Sequence, residues 1–341
     1  MKIDEDAVRA GAAWTAVAAT VPYLTLKVLW LTGCPVGSDD PGQLDRLWLL
    51  NLLTFGMDAI AVALALAFVR PWGRRVPAGL VAFPMWVATG LLGTILVALP
   101  LYLSSVLVLG PERSSGQSAD TGITDWVFLV VYGGFTVQGL ALITAFTLYA
   151  RERWADLLRA RIGDLPRSPT LAAQRSLGCV ATLLGLGVAA ARVYWAAGGT
   201  AGMPIAMAEE HPRGVAVMDA VAAVMAVAAP AALLVLVFRV RPGGRLRGPL
   251  LVAWTAAGSL FGWGSWQLVA FGVTTTRVTE LRTAVPGLMP LVQAGQVVAA
   301  VLVLAVGAMA LCERAAVKES APPGERAADE EPAPSSEPAT R

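Results

Sequence analysis

The sequence predicts an all-α integral membrane protein: eight transmembrane helices built as two parallel four-helix repeats, with both termini on the cytoplasmic side. Three observations predict it. First, 56% of the 341 residues are hydrophobic and only 15% are charged, against about 25% charged in a soluble domain. Second, eight apolar runs each reach the ~20 residues that a helix needs to cross a bilayer. Third, arginine is concentrated in every second loop between those runs.

The runs lie near residues 11–33, 47–69, 78–104, 126–149, 173–198, 215–238, 249–272 and 287–311. Lipid offers no partners to free backbone groups, so only helices or closed barrels span it. The runs are continuously apolar rather than alternating, which selects helices. The stretch before the first run, Met1–Ala10, mixes Lys2, Asp4, Glu5, Asp6 and Arg9. A secretory leader has a basic start, a shorter apolar core and a small-residue cleavage site. The first run is therefore expected to be a retained span.

Orientation follows from the loops. Arg70, Arg74 and Arg75 follow the second run; Arg151, Arg153, Arg159, Arg161 and Arg167 follow the fourth; Arg239, Arg241, Arg245 and Arg247 follow the sixth. The remaining loops are acidic or mixed: Asp39, Asp40 and Asp45; Glu112 and Asp120; Glu209 and Glu210; then Arg277, Glu280 and Arg282. Basic loops stay in the cytoplasm, so the alternation places both ends on the inner side of the cell membrane, in accord with Arg314 and Lys318 after the last run. Trp14 and Trp154 fall at the inner boundary; Trp30, Trp48, Trp126 and Trp195 fall near the outer one, where amphipathic indoles prefer to sit.

Between the halves, Arg151–Leu165 sets Trp154, Leu157, Leu158 and Ile162 on one helical face. This reads either as a helix lying on the inner surface or as an extension of the fourth span. From Glu313 onward Pro, Glu, Ala and Ser dominate, a composition with too little apolar surface to fold alone. The expected organisation is a first repeat at 1–150, a basic cytoplasmic linker at 151–172, a second repeat at 173–312 and a disordered cytoplasmic tail at 313–341.

The repeat rests on landmarks that recur in order. Lys27-Val-Leu-Trp30-Leu-Thr-Gly33-Cys-Pro-Val-Gly37 parallels Arg192-Val-Tyr-Trp195-Ala-Ala-Gly198-Gly-Thr-Ala-Gly202. Met57-Asp58-Ala59 parallels Met218-Asp219-Ala220, Val69-Arg70-Pro71 parallels Val240-Arg241-Pro242, and Glu152-Arg153 parallels Glu313-Arg314. Four spans per unit give both units one orientation, related by an axis along the membrane normal.

The stretch Arg192-Val-Tyr-Trp195-Ala-Ala-Gly198-Gly199 resembles an uncharacterised family of bacterial four-helix membrane proteins. That family carries a Tyr-Trp-x-x-Gly-Gly signature at the end of its first span. The resemblance implies a four-helix unit, here duplicated in tandem, and implies no activity, cofactor or partner. The first half departs from the signature, with Leu29 for the Tyr and Cys34 for the second Gly. Lys27 and Arg192 stand where the family often has histidine. Arginine-dominated basic content and heavy Ala, Val and Gly usage also fit a GC-rich bacterial genome.

Composition narrows the function classes. A net charge of +2, carried in short loop clusters, gives no stripe for nucleic acid. Cys34, Cys179 and Cys312 form no C-x-x-C pair. His211 is the single histidine, so neither a metal site nor a cofactor is expected. Its neighbours Glu209 and Glu210 make a solvated loop the simplest reading.

The candidate functional residues are the ionisable groups inside spans, each costing about 2.5–3.5 kcal/mol at a helix centre: Lys27, Asp58, Arg192 and Asp219. At about 1.5 Å rise per residue, Arg192 and Asp219 match in depth and are expected to pair. Lys27 and Asp58 match less closely and depend on the reach of the lysine stem. Three readings stay open. Each half pins two helices with an ion pair, or the cations snorkel to outer headgroups, or they line a site for an anionic ligand or a proton relay near the outer leaflet. Gln138, Gln267, Gln293 and Gln296 read as interhelical hydrogen-bonding glue, and Gly258-x-x-x-Gly262 as a close-packing motif.

Three functions fit. The first is a non-enzymatic membrane component recognising an anionic lipid or a membrane-protein partner in the lipid bilayer. The second is a small-solute or ion carrier built from the two repeats, dependent on Asp58. The third is a membrane enzyme on a lipid-linked substrate, dependent on outer-loop carboxylates such as Asp39, Asp40 or Glu209.

Overall fold

The computed structural model describes residues 4–40, 42, 44, 47–110, 123–203, 208, 212–277 and 287–320. Asp45, Glu112, Asp120, Glu209, Glu210, His211, Glu280, Arg282 and residues 321–341 lie outside the described residues, as does the side chain of Arg277; residues 313–320, expected as the start of a disordered tail, instead continue the last helix. Eight long helices organise what is described: α1 (Glu5–Leu31), α2 (Trp48–Val69), α3 (Ala78–Leu109), α4 (Asp125–Arg153), α5 (Leu171–Ala196), α6 (Arg213–Val237), α7 (Arg247–Arg277) and α8 (Met289–Ser320).

The protein is an all-α, multi-pass membrane protein. Seven of these helices, α1–α6 and α8, are long and apolar enough to cross a membrane. α7 has the length, at 31 residues, but Gly258, Ser259, Gly262, Trp263, Gly264, Ser265, Trp266 and Gln267 dilute its apolarity. Large apolar side chains face outward along the bundle, including Leu101, Leu107, Leu129, Leu183 and Leu291. Such a surface suits lipid, whose tails are as apolar as leucine.

Helix starts and stops follow local chemistry. Asp4 caps α1 by accepting from the N–H groups of Asp6 and Ala7 at 3.1 and 3.4 Å. At the joint between α2 and α3, a side chain at Gly73 would meet the Ala67 carbonyl oxygen at 1.7 Å. Only glycine lets the chain turn that tightly. The Gly73 carbonyl then accepts from Tyr149 Oη at 3.1 Å, fastening the joint to α4.

Two apolar cores result. One joins α1, α2, α3 and α4 around Ala65, Met85, Leu142 and Ala145; the other joins α5–α8 around Ala181, Ala226, Leu233, Leu260 and Ala300. The cores meet where α3 crosses α7. A Cβ on Gly90 would lie 2.0 Å from the Gly258 carbonyl carbon, and one on Gly258 would lie 2.3 Å from the Trp86 oxygen. The backbones are therefore in direct contact, as small residues permit. Thr94 and Ser259 share a buried hydroxyl hydrogen bond of 2.6 Å, and Trp254 Nε1 donates to Thr89 Oγ1 at 3.0 Å.

The linker differs from both sequence readings. α4 stops at Arg153, and a five-residue helical turn at Ala155–Arg159 leads into chain that pairs with the α6–α7 loop. Ile162 N–H donates to the Gly244 carbonyl at 2.9 Å, and Leu246 N–H to the Ala160 carbonyl at 2.8 Å. Ile162 and Leu165 are buried against Leu236 and Leu246. These apolar side chains find protein beneath the second half, so they need neither lipid nor a longer helix.

Candidate functional site

In the second half, one cation gathers four helices. Arg192 lies four residues before the end of α5 and is 3% exposed. Its Nη1 donates to Asp219 Oδ1 on α6 at 2.6 Å. Its Nη2 donates to Gln267 Oε1 on α7 at 3.1 Å and to Gln296 Oε1 on α8 at 3.0 Å. Gln296 is held in turn by its own donation to the Leu260 carbonyl at 2.9 Å. The planar guanidinium fork can serve several acceptors at once.

The first half is arranged differently. Lys27 is also four residues before a helix end and is 4% exposed. Its Nζ donates to Asn51 Oδ1 at 2.8 Å and sits over the Tyr23 and Trp30 rings at 4.7 and 5.3 Å. The expected contact with Asp58 is not made. Asn51 and Asp58 share a face of α2 seven residues apart, roughly 10 Å along the axis, and the ammonium stops at the nearer amide. Asp58 is buried and faces Gln138 of α4; its Oδ2 receives no hydrogen bond among the described residues.

Trp30 and Trp195, the aromatics expected near the outer interface, turn into the protein. Both are buried, at 6% and 1% exposure. Trp30 Nε1 donates to the Val36 carbonyl at 2.8 Å and Trp195 Nε1 to the Ala201 carbonyl at 3.0 Å, six residues on in each case. Each indole thereby closes the turn after its helix. Those turns need left-handed backbone at Gly33 and Gly37 (φ 85° and 75°), and at Gly198 and Gly202 (φ 91° and 81°). Their far ends hold the fourth helix of each half: Thr124 N–H donates to the Gly37 carbonyl, and Met289 N–H to the Gly202 carbonyl.

A second polar assembly lies at the opposite end of the first half. Glu152, at the end of α4, pairs with Arg9 of α1 through one carboxylate oxygen and with Arg74 through the other at 2.6 Å. Beside this clasp is an open cavity of about 240 Å³ with Arg9, Arg70 and Arg74 around an apolar floor of Phe68, Pro71 and Tyr149. Arg153 lies behind it, donating to the Val76 carbonyl at 2.7 Å.

The remaining candidates stand apart. The three cysteines are exposed and free. Among the described residues no three His, Cys, Asp or Glu side chains cluster as metal ligands. Asp156, outside the spans, accepts from Lys318 at 2.5 Å, and this hydrogen bond holds its carboxyl below the usual range.

Sequence reasoning missed Asn51, whose signal is its two-turn spacing from Asp58. It also missed the Trp86-Val-Ala-Thr-Gly90 and Trp254-Thr-Ala-Ala-Gly258 stretches, two copies of Trp-x-Ala-x-Gly at the crossing of the halves. Compared with protein-family models, curated proteins and solved structures, the chain matches none.

Proposed function

We propose that this protein is a non-enzymatic membrane component that recognises an anionic lipid or a membrane-protein partner. The observation that carries this reading is the cavity edged by Arg9, Arg70 and Arg74 at the arginine-rich end of the bundle. Juxtamembrane arginine clusters attract anionic headgroups of the cytoplasmic leaflet. The buried charges Arg192 and Asp219 serve instead to hold helices together.

The architecture behind this proposal is eight spans, counting α7, in two parallel repeats with both termini in the cytoplasm. Support comes from the matching indole-closed turns, from the paired Trp-x-Ala-x-Gly stretches, and from Arg9–Glu152 and Thr170–Glu313 contacts that are both 143 residues apart. The same features favour duplication of the bacterial four-helix unit that the sequence resembles. Arginine-rich loops support the orientation.

The test is thermal unfolding of the purified, delipidated protein with phosphatidylglycerol or phosphatidylcholine added. A ligand that binds only the folded state raises the midpoint. Phosphatidylglycerol is expected to raise it more, and the Arg70→Gln/Arg74→Gln variant to lose that difference. Equal response of the wild type to both lipids sinks the reading.

One observation favours a second reading, a small-solute or ion carrier: a buried carboxylate, Asp58, has an oxygen without a donor among the described residues. Gradient-driven flux in proteoliposomes, abolished by Asp58→Asn, would establish it. No flux in the wild type removes it.

A further inference from the structure

Resting on the reading of the arginine-rimmed cavity as a recognition site, we infer that its ligand is the phosphate of a phospholipid headgroup and that Glu152 is an internal stand-in for that phosphate. The carboxylate of Glu152 offers one oxygen to Arg9 and the other to Arg74. Two arginines from separate segments sharing one planar oxyanion is the geometry with which guanidinium groups receive phosphate. Phosphate brings more acceptor oxygens to the same donors.

The rim has donors to spare. Arg70, which lines the cavity, makes no side-chain hydrogen bond or ion pair among the described residues. Arg9 is only 12% exposed and is also held by Asp6 at 2.6 Å, so its guanidinium is fixed in place. Arg74 is 67% exposed and Glu152 47%, so their contact stays wet and exchangeable. Exposed ion pairs of this kind are weak. With Asp6 and Glu152 both counted against Arg9, Arg70 and Arg74, the cluster keeps one positive charge in excess (3 − 2).

The floor argues for an amphiphile. Phe68 and Tyr149 are each 3% exposed beneath the rim, with Ala67, Val69 and Pro71 beside them. The cavity of about 240 Å³ holds far more than one water's ~30 Å³ share of liquid volume. A phosphate takes the rim and a glycerol backbone lies on the floor. Free phosphate shares the rim chemistry and leaves the floor unused.

The experiment titrates purified full-length protein in detergent with dioctanoyl phosphatidic acid, dioctanoyl phosphatidylcholine and inorganic phosphate, followed by calorimetry or native mass spectrometry. Glu152→Gln removes the internal competitor and is expected to tighten phosphatidic acid binding about five- to tenfold. Arg74→Gln is expected to weaken it about tenfold, the scale of one charge-assisted hydrogen bond. Because Arg74 is exposed, its loss leaves the fold intact, and an unchanged unfolding midpoint without lipid verifies this. Unchanged or weaker binding in Glu152→Gln overturns the stand-in while leaving the cavity as a recognition site. Inorganic phosphate binding as tightly as the lipid overturns the amphiphile. Wild type that does not distinguish phosphatidic acid from phosphatidylcholine overturns the underlying reading itself.

Discussion

The two halves solve one problem, a cation buried four residues from a helix end, in two ways. In the second half Arg192 reaches acceptors on three other helices, one of them a carboxylate. In the first half Lys27 reaches one neutral amide and two aromatic faces, while the nearby acid Asp58 remains apart. The difference follows from head-group shape. A flat five-donor fork can bridge helices, whereas an ammonium is a compact point charge that settles on its nearest acceptor. The second half is thus fastened through its charge, and the first is fastened mostly through packing.

The largest test of that contrast is removal of each cation. Arg192→Met removes the guanidinium that bonds Asp219 and is expected to cost about 3–5 kcal/mol, most of it regained in the Arg192→Met/Asp219→Asn double variant. Lys27→Met gives up one hydrogen bond to a neutral partner and is expected to cost only about 1–2 kcal/mol. Reversible unfolding in detergent measures both, and equal losses would break the comparison.

A smaller effect is expected where the halves touch. Gly258→Ala pushes a methyl to 2.3 Å from the Trp86 oxygen and should cost about 1–3 kcal/mol through overpacking. Gly90→Ala should do the same, and an effect confined to one glycine would argue against a symmetric crossing. Below that come Trp30→Phe and Trp195→Phe. Each deletes one indole hydrogen bond and should cost about 1 kcal/mol. Here the halves should agree, which sharpens the contrast in how each holds its buried cation.

The smallest effect concerns pH. The Asp156 carboxyl is held low, first by the Lys318 hydrogen bond and then by that ammonium's charge. A depressed acid contributes stability that is present above its unfolded pKa, near 3.9 for aspartate, and is lost as pH falls through the folded value. Hydrogen exchange around Ala155–Arg159 should therefore quicken slightly below pH 4, an effect absent in Asp156→Asn.

How much of this was legible in the sequence depended on the cost of each residue in lipid. Lys27, Asp58, Arg192 and Asp219 stood out because ionisable groups are expensive inside apolar runs. Asn51 did not, because amides are cheap enough to be common there, whereas Gln138 was read as interhelical glue and faces Asp58. The inward turn of Trp30 and Trp195 was not legible, because an indole near the end of a span usually faces the interface, and nothing local revealed that its N–H closes a turn six residues on. The cavity was invisible because Arg9, the Arg70–Arg74 loop and Glu152 come from three separated stretches. α7 read as a span by the length of its apolar run, although its glycines and tryptophans serve contact with α3.

That contact has an evolutionary reading. α3 and α7 are the third helices of their respective halves, and each contributes its Trp-x-Ala-x-Gly stretch, with Gly90 set against Gly258. A patch that meets its own counterpart is what two identical subunits use around a two-fold axis. Under the proposed duplication the ancestor was a self-pairing four-helix subunit, and the chain segment between α4 and α5 made its dimer covalent. On that proposal, two joined copies would no longer have to stay alike, leaving one free to fasten its charge and the other free to leave its acid apart.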